Sequence, residues 1–299
     1  MAISTKLLRM QLAFFKPFVN GCSIETARMG QAKLGELMAN THKSKVLYSP
    51  QIFRNFIGEW IAPKQQASDC VILYMHGGGY VAGDIDYAKG FGTILAAKNR
   101  MKVFCAAYRL APEYPYPAAL EDAMTAYEYL LENGYESRQI FLCGESAGGG
   151  LIYALTLRLK ASAHALPAGI IAISPWTDLT ASGVSYETNR ECDPSMTRER
   201  LAYYAQLYAA EEPYANPFIS PLFGELDQLP PSLIFAGGDE IMLDDAVQLH
   251  KRLLEAGSPS ELVVTPGMWH GYVLYGVRES KKDHEKISEF LKEAGDGRP

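Results

Sequence analysis

Residues 144–148 read Gly-Glu-Ser-Ala-Gly and place Ser146 where a strand-like segment gives way to a helix-like one. Residues 139–143 form a short apolar run typical of a buried strand, and residues 151–155 have helical apolar spacing. The glycines two positions either side of the serine allow a sharp reversal that lifts its hydroxyl out of the sheet. Such a serine can act as a nucleophile if a base lies within hydrogen-bonding reach. Alone, the pattern also fits a glycine-rich turn with an incidental serine.

A second glycine segment follows the apolar strand 71–75 and reads His-Gly-Gly-Gly-Tyr over residues 76–80. Three successive glycines leave backbone N–H groups unshielded, and such donors can converge on an oxygen that becomes negative during acyl transfer. A phosphate-binding loop is the alternative, but neither G-K-[ST] nor G-x-G-x-x-G spacing is present. An oxyanion loop upstream of a nucleophilic serine is the interpretation that explains both segments.

A nucleophilic serine needs a histidine to take its proton and an acid to orient that histidine, in the chain order serine, acid, histidine. Three of the six histidines lie among polar or small residues, where we expect them to be solvated: His42, His164 and His284. His250 lies in a predicted helix, and His76 precedes the serine and opens the glycine loop. His270 remains, in a loop flanked by glycines just after the predicted strand 261–265.

The acid is predicted from the strand that precedes the His270 strand. Residues 231–236 read as a strand, and Asp239 follows at its carboxyl end, in the layer expected for Ser146 and His270. Glu240 is one residue further along and longer. Asp244 is the leading competitor, although it is better placed to start a helix, where acidic residues are favoured. We therefore assign Asp239.

Three segments together resemble the bacterial hormone-sensitive-lipase-like esterases of the α/β-hydrolase superfamily: His-Gly-Gly-Gly at 76–79, Tyr-Arg-Leu-Ala-Pro-Glu at 108–113 and Gly-Glu-Ser-Ala-Gly-Gly at 144–149. The resemblance runs from about residue 71 to the C-terminal helix, and more loosely to the N-terminal part. It implies that the N–H groups of Gly78, Gly79 and Ala147 bind the oxyanion. It also implies a serine carboxylesterase that needs no metal and no cofactor.

The resemblance extends to the remaining site residues. The family's histidine lies in a Pro-Gly-x-x-His-Gly segment similar to residues 266–271, and its acid is likewise an aspartate. His76 and Gly77 would support the glycine loop. Glu145 stands beside the nucleophile, with no role that the sequence reveals.

We therefore expect Ser146 to attack a small-molecule ester with a short- to medium-chain acyl group while His270 accepts its proton. Asp239 would stabilise the imidazolium. Deacetylation of a sugar or aromatic ester, or lactone opening, uses the same triad and stays open. The alternative from another class is a receptor of this fold that binds a ligand without turnover, and the complete triad argues against it.

The composition of the chain argues against several classes of binding partner. The 299-residue chain is 48% hydrophobic with a net charge of −6, which argues against binding nucleic acid or anionic membranes. Its five cysteines have no metal-site spacing, and their odd number favours a reducing cytoplasm. Cys105 and Cys143 lie in strand-like runs and are expected to be buried. No segment is long and apolar enough to span a membrane.

The N-terminal apolar run 10–15 faintly resembles a secretory signal. Lys16 and Pro17 end it early, so an amphipathic helix is the better interpretation.

Strand-like and helix-like segments alternate along one domain, residues 1–299, which predicts an α/β-hydrolase fold with a mostly parallel sheet of about eight strands and helices on both faces. The predicted strands are 45–48 and 53–61, as an opening antiparallel pair, then 71–75, 101–108, 140–143, 169–174, 233–236 and 262–265. The predicted helices are 87–99, 118–133, 147–160, 244–256 and 281–294. The strand 262–265 is a candidate edge through which a homodimer could form.

Two segments interrupt the alternation, approximately residues 1–43 and 176–230, and we interpret both as a helical cap over the strand ends. The second contains a helical run at 197–208. Most cap aromatic and apolar side chains are expected to anchor the cap, with pocket lining as the alternative: Phe14, Phe15, Phe18, Met29, Tyr203, Tyr204 and Tyr208. Arg109 and Glu113 are expected to pair and pin a proline-rich loop, with binding of a charged substrate as the alternative.

Overall fold

The computed structural model describes residues 4–295, and one sheet of eight strands forms its centre. The strands are β1 (Val46–Ile52), β2 (Ile57–Pro63), β3 (Val71–Met75), β4 (Lys102–Ala107), β5 (Ile140–Glu145), β6 (Gly169–Ile173), β7 (Ser232–Gly237) and β8 (Ser260–Thr265). Their order across the sheet is β1-β2-β4-β3-β5-β6-β7-β8. The β1–β2 and β2–β4 pairs are antiparallel, and all other pairs are parallel.

The predicted strands are all present, and the mostly parallel architecture is confirmed. The largest difference in bounds is at the opening hairpin, where β1 continues to Ile52 and β2 begins at Ile57. The turn between them is closed by a hydrogen bond from the Phe53 N–H to the Phe56 carbonyl, 3.0 Å long. The two phenylalanine rings stack with centroids 4.3 Å apart. Residues predicted to start the second strand therefore form the turn.

Nine α-helices occur within residues 4–295: α1 (Thr5–Gly21), α2 (Ile24–Asn40), α3 (Ile85–Asn99), α4 (Ala118–Glu132), α5 (Ala147–Ala161), α6 (Ser185–Thr188), α7 (Arg198–Ala209), α8 (Leu243–Glu255) and α9 (Ser280–Gly295). Helices cover both faces of the sheet, as the side chains of β3 show. Val71, Leu73 and Met75 join a core with α4, α5 and α8, while Ile72 and Tyr74 join a core with α3 and α9. All five are fully buried, as expected for a central parallel strand covered on both faces.

The two predicted cap segments contain α1 and α2, and α6 and α7; residues 1–3 of the first lie outside the described range. Helix α2 is anchored on α3 by two glycines. A Cβ at Gly90 would lie 2.8 Å from the Gly35 Cα, so the backbones meet directly. Within residues 4–295, no helix combines the length and apolar character needed to cross a bilayer.

The anchoring expectation for the cap side chains is wrong for most of them. Tyr204 and Tyr208 are buried, at 8% and 1% exposure. The other five are exposed to solvent: Phe14, Phe15, Phe18, Met29 and Tyr203. Helix α1 has no fully buried residue. Leu8 and Leu12 pack half-buried against the core, while most of its other apolar side chains face solvent.

Two further expectations about individual residues can be compared with the structure. Cys105 and Cys143 are fully buried, as predicted. His284 is also buried rather than solvated, and burial lowers its pKa to about 3. Its ring lies against the Phe91 ring. The polar residues next to His284 in the sequence do not indicate this burial.

Candidate active site

Ser146 lies between the end of β5 and the start of α5 in a conformation that few non-glycine residues adopt. Its φ is 55° and its ψ is −123°, and its N–H donates to the Ile173 carbonyl at 3.0 Å. The flanking glycines are required by space: a Cβ at Gly144 would collide with the Gly148 carbonyl, and a Cβ at Gly148 with the Met75 carbonyl. The strand therefore turns into the helix within one residue, with the serine at the point of the turn.

The glycine loop after β3 lies against this turn. Gly78 and Gly79 have φ values of 117° and 64°, which a glycine adopts without strain. His76 is fully buried, stacks on the Tyr108 ring with centroids 4.4 Å apart, and has its Nδ1 2.7 Å from the Gly77 carbonyl oxygen. Burial lowers the pKa of His76 to about 4, so this imidazole is neutral and holds the loop rather than exchanging protons.

Glu145 connects the glycine loop to the strand that carries Ser146. Its Oε1 accepts the Gly77 N–H at 2.7 Å, and its Oε2 accepts the Tyr74 hydroxyl at 2.5 Å. Burial raises the pKa of this carboxyl to about 7, against hydrogen bonds from Tyr74, Gly77 and Tyr87 that lower it. Glu145 thus has a structural role. The sequence does not reveal it, because β3 and β5 become neighbours only in the folded sheet.

His270 lies in the loop after β8, and its Nδ1 is 2.8 Å from Glu240 Oε2. The Glu240 side chain is fully buried, while that of His270 keeps 12% exposure. Burial lowers the pKa of His270, but the hydrogen bond and charge of Glu240, with smaller contributions from Asp193 and Glu145, outweigh it, so the pKa lies above its usual value. A carboxylate on Nδ1 leaves Nε2 free to accept a proton.

The prediction that Asp239 orients His270 is therefore wrong. The Asp239 carboxylate turns outward, at 28% exposure, and binds the Arg9 guanidinium of α1 at 2.7 Å. Its main-chain N–H donates to the Met268 carbonyl, which fixes the turn so that the next side chain, Glu240, points inward. The Glu240 side chain, one methylene longer than an aspartate, then reaches His270 Nδ1. The competitor Asp244 is also turned away, and accepts the Ser185 N–H.

The insertion between β6 and β7 holds the Glu240 loop. The Asn189 side-chain amide donates to the carbonyls of Gly238, at 3.2 Å, and Glu240, at 2.9 Å. Buried Asp193 accepts the Ile241 N–H at 3.0 Å. No local signal in the sequence marks these residues, since each acts across about fifty positions of chain.

Helix α1 reaches the same loops through its polar side. Arg9 donates to the Gly267 carbonyl at 2.8 Å and to the Cys192 carbonyl at 2.7 Å, besides binding Asp239. Lys16 binds only the insertion, through the carbonyls of residues 190 and 193. Arg9 thus joins the cap to the loops that carry both Glu240 and His270.

The serine loop follows β5 and the histidine loop follows β8, and Ser174 at the end of the intervening strand β6 connects them. Glu145 at the end of β5 pairs with Ile173 at the end of β6, and the Gly271 N–H donates to the Ser174 hydroxyl at 3.0 Å. The residue after His270 is thereby tied to the strand next to Ser146. The structure places Ser146, Glu145, the glycine loop, Glu240 and His270 at this one edge of the sheet.

Two tyrosines of cap helix α7 pack against the glycine loop. Tyr204 of α7 occupies the space that a side chain at Gly79 would need. The Tyr208 ring of the same helix stacks on Tyr80, with centroids 3.7 Å apart. These rings form an aromatic wall next to the expected oxyanion position, which limits the room for a substrate.

The proline-rich loop after β4 is pinned, but not by the predicted pair. Arg109 binds Asp122 at 2.8 Å and Glu121 at 3.0 Å, both on α4. Glu113 instead binds Arg28 of α2 at 2.7 Å. The two ion pairs attach the loop to the helical layer and to the cap, respectively. Within residues 4–295, the structure holds no group of three His, Cys, Asp or Glu side chains able to bind a metal.

Comparisons with known proteins show the fold and the family. Residues 72–274 match the family model described as alpha/beta hydrolase fold. An acetyl-hydrolase of Streptomyces hygroscopicus is 36% identical over 242 residues, covering 80% of this chain and 81% of that protein. The crystal structure of a hormone-sensitive lipase from a metagenome library has a TM-score of 0.93 at 29% identity, covering 99% of each chain. That of an esterase from the bacterial hormone-sensitive lipase family has a TM-score of 0.88 at 34% identity, covering 98% of this chain and 99% of that one.

Proposed function

Because this chain belongs to the bacterial hormone-sensitive-lipase-like esterases of the α/β-hydrolase fold and is a carboxylic ester hydrolase, we propose that Ser146, His270 and Glu240 form its catalytic triad. The observation that carries this proposal is the 2.8 Å contact of His270 Nδ1 with buried Glu240, at the sheet edge where Ser146 stands. Glu240 takes the place predicted for Asp239.

In the proposed reaction, Ser146 Oγ attacks the ester carbonyl carbon and its proton passes to His270 Nε2. Glu240 stabilises the imidazolium. The oxyanion binds to the N–H groups of Gly78, Gly79 and Ala147. Collapse of the tetrahedral intermediate releases the alcohol, which takes the proton from His270, and water hydrolyses the acyl-enzyme by the same proton path.

The proposed substrates are esters with short- to medium-chain acyl groups. The wall formed by Tyr204 and by the Tyr80–Tyr208 stack supports this, because it stands close to Gly79 and limits the space there. Deacetylation is the second candidate, and the name of the Streptomyces relative, an acetyl-hydrolase, favours it. Pairing of two copies through edge strand β8 and a cytoplasmic location stay predictions.

A graded series of p-nitrophenyl esters tests the proposal. We expect a burst of p-nitrophenol close to one equivalent per Ser146, highest kcat/KM for acetyl to hexanoyl groups, and loss of both burst and turnover in Ser146→Ala. Turnover that persists in Ser146→Ala would show that this serine is not the nucleophile. A preference for long acyl chains would contradict the proposed substrate range, and slow binding without a burst would favour the receptor alternative.

A further inference from the structure

Arg200 on cap helix α7 is a buried cation that has no anionic partner among residues 4–295. Its exposed fraction is 9%, and among residues 4–295 no other lysine or arginine is buried to this extent. Its Nε is inaccessible to solvent and has no hydrogen-bond partner among residues 4–295. Its Nη2 lies 4.0 Å from the Cys22 sulfur, and the guanidinium also faces the neutral Tyr204 hydroxyl, where its charge and hydrogen bond partly offset the burial that raises the pKa of Tyr204. Arg200 takes part in no ion pair within residues 4–295. No carboxylate oxygen in that range therefore lies within 4.0 Å of its guanidinium nitrogens.

This arrangement is unusual because removing a guanidinium from water costs free energy that an anion or several acceptors normally offset. Two aromatic rings offset part of it here. The Arg200 Cζ is 4.6 Å from the Tyr204 ring centroid and 5.8 Å from that of Tyr203. Neither ring supplies the negative charge that a buried guanidinium normally pairs with. An anionic group on a ligand could supply it.

The position of Arg200 indicates which ligand. The Tyr204 ring on which it stacks is the ring that fills the space beside Gly79 of the glycine loop. The guanidinium carbon therefore lies at most about 10 Å from the Gly79 Cα. A substrate whose ester oxygen binds that loop could place a second group, a few bonds away, against Arg200.

We propose that Arg200 binds a carboxylate carried by the ester substrate, so that the protein favours half-esters of short dicarboxylic acids or esters of carboxylate-bearing alcohols over neutral esters of the same shape. This inference rests on the proposed function, since it names the substrate class of the same site. A charge-assisted, partly desolvated guanidinium–carboxylate contact gives roughly ten- to hundredfold in binding.

Two matched pairs of substrates separate the two sources of the carboxylate. Monoethyl succinate against ethyl 4-methylpentanoate places the charge on the acyl side, because an isopropyl group replaces the carboxylate. The pair 4-acetoxybenzoate and 4-isopropylphenyl acetate places it on the alcohol side. Release of ethanol or acetate is measured, and the ratio of kcat/KM within each pair is the readout.

The variants are Arg200→Met, which removes the charge at similar length, and Arg200→Lys, which restores it. Arg198→Met is the matched control, since Arg198 lies on the same helix but is exposed and bound to Glu187. In at least one pair we expect Arg200→Met to lower the charged-to-neutral ratio about tenfold or more, Arg200→Lys to recover part of it, and Arg198→Met to leave it unchanged. An equal loss on both members of each pair, or no change, would overturn the proposal and leave Arg200 as a support for Tyr204.

A binding measurement keeps this test independent of turnover. In Ser146→Ala, calorimetric titration with the same four esters should show tighter binding of a charged ester than of its neutral match, and the additional Arg200→Met change should abolish the difference. Equal affinities would refute the carboxylate site. Arg200-dependent binding in a protein whose wild type turns over no ester would instead refute the proposed function and the substrate preference, and would leave only a carboxylate-binding site at Arg200.

Discussion

The catalytic edge of the sheet and helix α1 of the cap are held in opposite ways. At the edge, Glu145 and Glu240 are buried, and each accepts or shares hydrogen bonds with backbone and side-chain donors. Helix α1 has no fully buried residue and turns Met10, Phe14 and Phe18 to solvent; two half-buried leucines and its polar side chains attach it. The chemistry is therefore positioned by buried carboxyl groups, while the polar contacts of α1 are individually weak.

The role of the buried carboxyl groups at the catalytic edge is tested by changing the adjacent residues Glu240 and Asp239 to amides one at a time. Glu240→Gln should lower kcat by about 10³- to 10⁴-fold, because an amide no longer selects the imidazole tautomer that accepts the serine proton. Asp239→Asn should keep kcat within about threefold of wild type, since the partly exposed Asp239 carboxylate binds Arg9 of α1 and not His270. Steady-state kinetics on p-nitrophenyl butyrate measure both. The reverse order of effects would return the acid role to Asp239.

Glu145 should give the next largest effect. Removing it in Glu145→Ala leaves the Gly77 N–H and the Tyr74 hydroxyl without their acceptor in a dry site, and we expect kcat to fall about 10²-fold as the oxyanion loop loses its position. Glu145→Gln keeps one acceptor oxygen and should retain most of the activity. Both variants should keep KM near the wild-type value. A Glu145→Ala protein with unchanged kcat would show that the loop holds its shape without this carboxylate.

Arg9 tests how strongly the exposed side matters. Arg9→Ala removes contacts to Asp239, Gly267 and Cys192, and we expect kcat to fall about three- to tenfold with little change in KM. Lys16→Ala is the matched control, because Lys16 binds only the insertion. It should leave kcat within about twofold. Equal effects of the two changes would mean that α1 acts as a general anchor, with no specific influence on the catalytic loops.

The smallest expected effect is on the pH profile. Because Glu240 holds the pKa of His270 above its usual value, kcat/KM should fall as the pH decreases through a pKa somewhat above 6.5. Burial raises the pKa of Glu145 to about 7, so recording the profile in Glu145→Gln removes the contribution of this carboxyl. In residual Glu240→Gln activity the acid limb should move to lower pH, since burial lowers the pKa of His270 and the hydrogen bond and charge of Glu240 no longer oppose it. An unmoved limb would assign it to another group.

The sequence predicted what depends on local spacing. Glycines around Ser146 and at residues 77–79 marked the two turns because the backbone there tolerates no Cβ. The apolar runs predicted the sheet because strands buried on both faces are continuously hydrophobic. The apolar run of the last strand also predicts the loop of His270, because this loop directly follows that strand.

The rest depends on contacts that spacing does not encode. Which of two adjacent carboxylates faces His270 is decided by the direction of the turn and by Arg9, some 230 positions earlier in the chain. The role of Glu145 requires knowing that β3 lies beside β5. The period of α1 predicts an amphipathic helix but not that most of its apolar side chains face solvent, because the pattern is the same in both orientations.

The positive φ of Ser146 means that the residue most needed for reaction is also one that its own backbone disfavours. A glycine at this position would adopt the same angles freely, and the inert Ser146→Gly protein should melt roughly 2 °C above wild type. Ser146→Ala, which keeps the Cβ, should not, and a calorimetric scan of the three proteins compares them. Heat tolerance and reactivity would then compete at a single α-carbon.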